Sequence, residues 1–134
     1  VLFFLSGGRS RLLAERRRLW RWGEKRAEKF LNKKGLKTIA RNFSCKTGEL
    51  DLVMGAEDNG AIVFVEVKTR RNENFMEAQT AVTPAKRGRL IRTAKFFMKT
   101  YKTKDRPLRF DVVCVVLGEK GPPQIRHYKN AFVP

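Results

Sequence analysis

Apolar residues recur along the chain with two different periods, and each change of period predicts the end of an element. From Trp20 the apolar positions Trp20, Ala27, Phe30 and Leu31 fall at helical spacing and Gly35 follows as a stop, so a first helix is predicted over about 18–34. Ahead of it, residues 1–18 hold Gly7-Gly8 and a run of arginines with no alternation and only a weak helical period, which reads as a loose basic arm. Leu36 to Cys45 has β-type composition, Lys46-Thr47-Gly48 reads as a turn, and Glu49 to Ala56 alternates. Asp58-Asn59-Gly60 is a hairpin signal, followed by the β-branched and aromatic run Ala61 to Thr69. Arg70 to Val82 is polar and patternless, as in a long loop. Thr83-Pro84 then reads as an N-cap followed by proline at the first helical position. The second helix carries Leu90, Ile91, Ala94, Phe97, Met98 and Tyr101 on one stripe. Arg109 to Leu117 predicts a strand, Gly118 to Pro123 a turn, and Gln124 to Tyr128 a short last strand. The predicted fold is α/β, in the order α-β-β-β-α-β-β, with a mixed sheet flanked by helices. Residues 1–19 would be the arm and 20–134 a single domain.

Three acids sit where this pattern asks for something apolar. In Ile62-Val63-Phe64-Val65-Glu66-Val67-Lys68, strict alternation puts the valines on one face and Ile62, Phe64, Glu66 and Lys68 on the other. Either charge buried alone would be costly, so each needs a partner or a ligand. Directly paired residues of a hairpin share a face. A four-residue loop Glu57–Gly60 therefore sets Asp51 opposite Glu66, and a two-residue loop Asn59-Gly60 sets it opposite Lys68. Either even-length loop gathers Asp51, Glu66 and Lys68. Two carboxylates about 5 Å apart repel by about 3 kcal/mol at an effective dielectric of 20, and one lysine relieves only part of that. A hard divalent cation such as Mg²⁺, or Mn²⁺ in its place, would relieve the rest, since Mg²⁺ takes one or two carboxylates plus waters and phosphate oxygens. Lys68 beside it would orient or deprotonate an attacking water. The third acid, Glu24, shares the first helix stripe with Trp20, Ala27 and Leu31. The bland alternatives are a structural ion-pair network for Asp51, Glu66 and Lys68, and an exposed position for Glu24. Glu49 reads as supporting or solvated, Asp111 as a buried structural partner, and His127 as a structural hydrogen-bonding group.

Composition narrows the partners. Thirty Lys and Arg against thirteen Asp and Glu give a net charge of +17 over 134 residues, a self-repelling excess that suits a polyanionic partner. Nucleic acid is the first expectation and an anionic membrane surface the second. The longest purely apolar run, Val112 to Leu117, is far below the ~18 residues of a membrane span, and no secretion signal is read at Val1 to Leu5. The chain is also too short for an eight-fold α/β barrel of ~250 residues. Cys45 and Cys114 lack metal-ligand spacing and suit a reducing cytoplasm. One histidine argues against a His-based triad.

The string Gly48-Glu49-Leu50-Asp51, followed after a hairpin by Val63-Phe64-Val65-Glu66-Val67-Lys68-Thr69-Arg70, resembles the PD-(D/E)xK nuclease signature. More narrowly it resembles the YraN family of small bacterial proteins, similar in their sheet to archaeal Holliday junction resolvases. Gly23-Glu24 with Ala27, Arg41-Asn42, Lys86 with Arg89-Leu90, Arg109-Phe110-Asp111-Val112-Val113 and Asn130-Ala131-Phe132 extend the match from about Trp20 to Phe132. The resemblance implies a restriction-endonuclease-like fold, Asp51 and Glu66 as metal ligands with the Val67 carbonyl as a third, Lys68 as catalytic lysine, and Glu24 as a first-helix acid. The expected function is Mg²⁺-dependent hydrolysis of phosphodiester bonds in DNA, including branched or unusual structures. Lys86, Arg87, Arg89, Arg92 and Lys95 of the second helix, with Arg70 and Arg71 at the rim, would track the phosphates. The rival expectations are a non-catalytic nucleic-acid-binding protein on the same fold and a basic adaptor on a protein complex or membrane. A homodimer would suit cleavage of two strands.

Overall fold

A computed structural model describes residues 2–71 and 82–134, with side chains from Ser10 onward. Seven elements follow in the predicted order: α1 (Leu2–Lys33), β1 (Leu36–Cys45), β2 (Gly48–Ala56), β3 (Ile62–Arg71), α2 (Pro84–Thr100), β4 (Leu108–Leu117) and β5 (Gln124–Phe132). The strands lie in the sheet in chain order, with β3 and β4 parallel and the other neighbours antiparallel. Parallel neighbours cannot be joined by a tight turn, so the connection that contains α2 carries the chain from β3 to β4. Most of the predicted loop over 70–82 lies outside the described residues. Its first two positions, Arg70 and Arg71, belong instead to β3.

The helices cover opposite faces. Ile62 and Phe64 of β3 join Leu90, Ala94, Phe97 and Met98 of α2 in one core, while Val63 and Val65 join Ala27 and Leu31 of α1 in the other. Burial on both sides explains why β3 and β4 read as near-continuous apolar runs. The fully buried Phe64, Phe97 and Phe110 each contribute about 1.5–3 kcal/mol. Thr83 caps α2 through its hydroxyl oxygen, which accepts from the Lys86 N–H at 3.3 Å, with Pro84 behind it in the first turn.

The β2–β3 turn is the four-residue alternative. Ala56 N–H donates to the Ala61 carbonyl at 2.9 Å and Gly60 N–H to the Ala56 carbonyl at 3.0 Å, and the ladder runs from Gly55↔Ile62 to Leu52↔Val65. Strict alternation nevertheless fails further along β2. Leu50 and Val53, three positions apart, both pack into the α2-side core. The reversal falls between the pairs Arg41↔Leu52 and Phe43↔Leu50, where Asn42 takes a φ of 50°. That region of backbone space admits short polar side chains more readily than most.

Three expectations are corrected. The first helix starts at Leu2 rather than near residue 18, so the segment read as an arm is helical. Its residues 10–18 are all exposed, and a helix that buries no face shows no apolar period; Arg, Leu, Ala and Glu hold it by propensity. Trp20, read as part of the buried stripe, is 52% exposed; on that face the buried apolar positions are Ala27 and Leu31. The last strand continues past Tyr128 to Phe132, whose ring stacks on Phe110 at 4.8 Å.

Candidate functional site

Asp51, Glu66 and Lys68 meet where β2 and β3 part. By register the next backbone acceptor for Val67 N–H would be the Leu50 carbonyl. The ladder stops first, and Asp51 Oδ2 accepts that hydrogen bond at 2.8 Å. The carboxylate thus replaces a strand, which ties it to the residue between Glu66 and Lys68. Glu66 and Lys68 are 8% and 9% exposed. Lys68 Nζ stands 3.5 Å from Glu66 Oε1, and Lys86 Nζ stands 2.7 Å from the same oxygen. Lys86 lies in the first turn of α2, so the Thr83 cap that starts the helix also aims this ammonium at Glu66.

The charges in this cluster are unevenly met. Burial, then the neighbouring Glu66 and Glu24 carboxylates, push the Asp51 carboxyl up to about 8, against the pull of Val67 N–H and Lys86. Burial likewise raises Glu24, aided by Glu66 and Glu49 and opposed by Arg21 and a hydrogen bond from Asn42. Burial and the adjacent Lys86 lower Lys68, so its amine gives up a proton more readily than an ordinary lysine. Lys86 is raised: although burial opposes its charge, its bonds to Glu66 and Lys68 outweigh that. This is a pocket of carboxylates short of positive charge, which is the condition that a divalent cation relieves.

Helix α1 contributes Glu24 through an absence of side chain. A Cβ on Gly23 would lie 1.9 Å from Thr69 Oγ1. Only glycine lets the helix sit this close to β3, and the next residue, Glu24, is thereby carried to the cleft. One turn on, Glu28 accepts from Arg41 Nε at 2.9 Å and from the Thr38 hydroxyl at 2.5 Å. The Arg41-Asn42 pair thus serves both helix acids.

A cleft of about 290 Å³ is lined by Glu24, Asp51, Glu66 and Lys68 together with Trp20, Glu49, Thr69, Arg70 and Lys86. A second, of about 270 Å³, shares Glu49, Asp51, Glu66 and Lys86 and continues to Arg89 and Thr93. Of the predicted backbone-tracking residues, Lys86 lies inside the acidic cluster, Arg70 and Arg89 line the clefts, and Arg71, Arg92 and Lys95 are exposed. Arg87 turns its guanidinium over the Phe132 ring and donates to the Val82 carbonyl at 3.2 Å. Sequence reasoning underrated Glu49, which lines both clefts, and assigned no role to Asn42. The signals available were Glu49's parity with Asp51 and the αL tolerance of Asn.

A larger cavity, about 470 Å³, lies elsewhere, lined by Lys34, Glu57, Asp58, Arg109, His127 and Lys129 among others. Two of its lining residues are bonded to the fully buried Asp111, which accepts from Arg109 Nε at 3.0 Å, His127 Nε2 at 2.6 Å and Asn130 N–H at 3.0 Å. Although burial opposes its charge, those donors hold the Asp111 carboxyl below its ordinary range. Its chemistry is already spent on structure.

The donors at the first cleft are hard oxygens, which fits Mg²⁺ or Mn²⁺: Asp51, Glu66 and, as a third, the Val67 carbonyl. Among the described residues no three His, Cys, Asp or Glu side chains cluster closely enough to hold a metal ion by themselves. One or two carboxylates with waters is the usual Mg²⁺ complement, so these residues would suit that ion rather than an all-protein cage.

Residues 23–115 match the model of a family described as uncharacterised protein family UPF0102. The chain belongs to this family. A UPF0102 protein of Syntrophomonas wolfei is 46% identical over 116 residues, covering 87% of this chain and 98% of the relative. One of Geotalea uraniireducens is 40% identical over 124 residues, 92% of this chain and 96% of the relative. UPF0102 protein STH1475 of Symbiobacterium thermophilum is 43% identical over 116 residues, 87% and 97% respectively. Membership is consistent with the PD-(D/E)xK-related bacterial family that the strand strings resemble. The UPF0102 match begins at Gly23, the glycine that seats α1, and leaves Trp20 and the arginines before it outside. No described helix is long and apolar enough to cross a membrane.

Proposed function

We propose that the chain is a metal-dependent endonuclease that hydrolyses phosphodiester bonds in DNA, branched or otherwise unusual structures included. The observation that carries the reading is the convergence of Asp51 from β2, Glu66 and Lys68 from β3 and Glu24 from α1 on one cleft within a strongly basic chain. Asp51 and Glu66, with the Val67 carbonyl, would hold Mg²⁺ or Mn²⁺. Bound there, the ion would supply Lewis-acid stabilisation of phosphate oxygens and a more acidic water. Lys68, the amine with the weakened hold on its proton, would orient and deprotonate the attacking water. Glu24 fixes the outer edge of the acidic cluster. Lys86 balances Glu66 and, with Arg89 and Arg70, draws the phosphate backbone to the cleft.

The test is cleavage of labelled linear, flapped and four-way DNA with Mg²⁺ or Mn²⁺. Asp51→Ala, Glu66→Ala and Lys68→Ala are each expected to lower the rate by about 100-fold or more, in line with loss of a general base or metal ligand. Activity that survives all three substitutions would overturn the assignment.

One observation favours a second reading, a non-catalytic nucleic-acid-binding protein: Lys86 already supplies Glu66 with a close cation, and no described trio of acids forms a metal cage. Calorimetry separates the two. Uptake of Mn²⁺ by the wild type and not by Asp51→Ala supports the enzyme; no uptake with or without DNA supports the binder.

A further inference from the structure

Trp20 lines the cleft, and the proposed reaction does not use it. It lies one helical turn before Glu24, on the same side of α1, and lines the cleft with Asp51, Glu66 and Lys68 while leaving half its surface in water. A large exposed aromatic ring costs solvation and adds little to a core, and the buried side chains of this helix begin seven residues later, at Ala27. Arg16 and Arg17 precede Trp20 by four and three positions, so they extend its face away from Glu24 by about 6 Å along the helix axis. Both are exposed, as are Arg11, Arg18 and Arg21. The helix therefore presents, in order outward from the acidic cluster, a flat π surface and then fixed positive charge.

We infer that Trp20 is a stacking platform for an unpaired base next to the cleft, and that the overhanging part of α1 carries the phosphates of that same strand outward. A base inside an intact duplex has its faces covered by its neighbours. Away from duplex ends, only unpaired nucleotides, as in a flap or a gap, offer a face to Trp20. The inference rests on the nuclease reading for its choice of nucleic acid, and it names the feature by which such a site would tell structured DNA from duplex.

The experiment is equilibrium binding in EDTA, so that no cleavage is needed, with fluorescein-labelled blunt duplex, 5′-flap, 3′-flap and single-stranded oligonucleotides. Trp20→Ala is expected to weaken binding to the flapped and single-stranded probes by on the order of 10-fold or more, and to blunt duplex by less than about 2-fold; Trp20→Phe retains most of the affinity. Arg16→Gln/Arg17→Gln is expected to weaken the flapped and single-stranded probes more than blunt duplex and to lower their salt slope by about 1–2. Equal loss on every probe in Trp20→Ala, no loss on any, or no binding by the wild type overturns the platform. An unchanged salt slope in the arginine variant overturns the role of the overhang. Thermal melting checks that the half-exposed Trp20 is not needed for folding. If the probe-selective loss is seen and no metal supports cleavage, the platform stands and the nuclease reading falls. If cleavage depends on Asp51 while Trp20→Ala binds every probe normally, the reverse holds.

Discussion

Two carboxylates on the same sheet are treated in opposite ways. Asp111 is sealed from solvent and met by a guanidinium, an imidazole and a backbone N–H, which together overcome the cost of burial and hold its proton affinity down. Asp51 receives one backbone hydrogen bond, faces Glu66, and is driven up to about 8. Burial works against the charge in both. What differs is whether the neighbours complete the balance or leave it open, and an open balance is what distinguishes a site for a ligand from a girder of the fold.

The comparison can be broken most severely at the closed cluster. Asp111→Ala leaves Arg109 and His127 without their shared acceptor and is expected to cost about 3–5 kcal/mol in urea denaturation. A loss under 1 kcal/mol would show that the cluster carries no structural weight. Because the Asp111 carboxyl titrates lower folded than unfolded, its stabilisation is in place above the unfolded value near 3.9 and fades as pH falls through the folded one. The acid limb of the stability profile should therefore flatten in Asp111→Asn.

Next in size is the seat of α1. Gly23→Ala must push the helix from Thr69 and is expected to cost about 1–3 kcal/mol by overpacking. Adding Thr69→Ala should restore part of it, and a strictly additive double variant would rule out the contact.

The smallest effect has the opposite sign. Asp51 binds its proton more tightly folded than unfolded, so its ionisation destabilises the metal-free protein progressively as pH rises from about 4 to about 8. Asp51→Asn keeps an acceptor for Val67 N–H and is expected to stabilise the metal-free chain at pH 8 by roughly 1–2 kcal/mol, a fraction of the full linkage because solvent screens the partly exposed carboxylate, with the gain gone near pH 4. A destabilised variant at pH 8 would move Asp51 into the same structural class as Asp111. Addition of Mn²⁺ should raise the melting temperature of the wild type and leave Asp51→Asn unmoved.

The strands, the second helix and the gathering of Asp51 with Glu66 were legible because two-residue periodicity and an even-length turn set the register next to the hairpin, and Asp51 still reaches Val67 where the ladder ends. The kink at Asn42 was missed, although it breaks the alternation of β2 and sets Leu50 and Val53 on one face; the αL tolerance of Asn is its one weak local mark. The overhang of α1 was misread because amphipathicity reports burial, and an exposed helix has none to report. Lys86 was assigned to the basic face of α2. Its engagement with Glu66 depends on where the crossover sets the first turn of the helix, which no local pattern encodes. Trp20 looked like core because hydrophobicity alone does not distinguish a buried ring from one kept at the mouth of a cleft.

The parallel pairing of β3 with β4 has a consequence for the order of events in folding. The β2–β3 hairpin closes over four residues, whereas Ile62 and Leu108 meet across 46 positions of chain, a difference of about 2 kcal/mol in closure entropy. The local meander of β1, β2 and β3 is thus favoured to form first, and it brings Asp51 and Glu66 together. Lys86 lies in the crossover and arrives with the later step. For that interval the carboxylates have Lys68 as their ammonium partner without Lys86, so salt and divalent cations should act on the rate of folding more than on the rate of unfolding. The deficit of positive charge that marks the cleft in the folded protein would then also be a barrier that the chain crosses each time it folds.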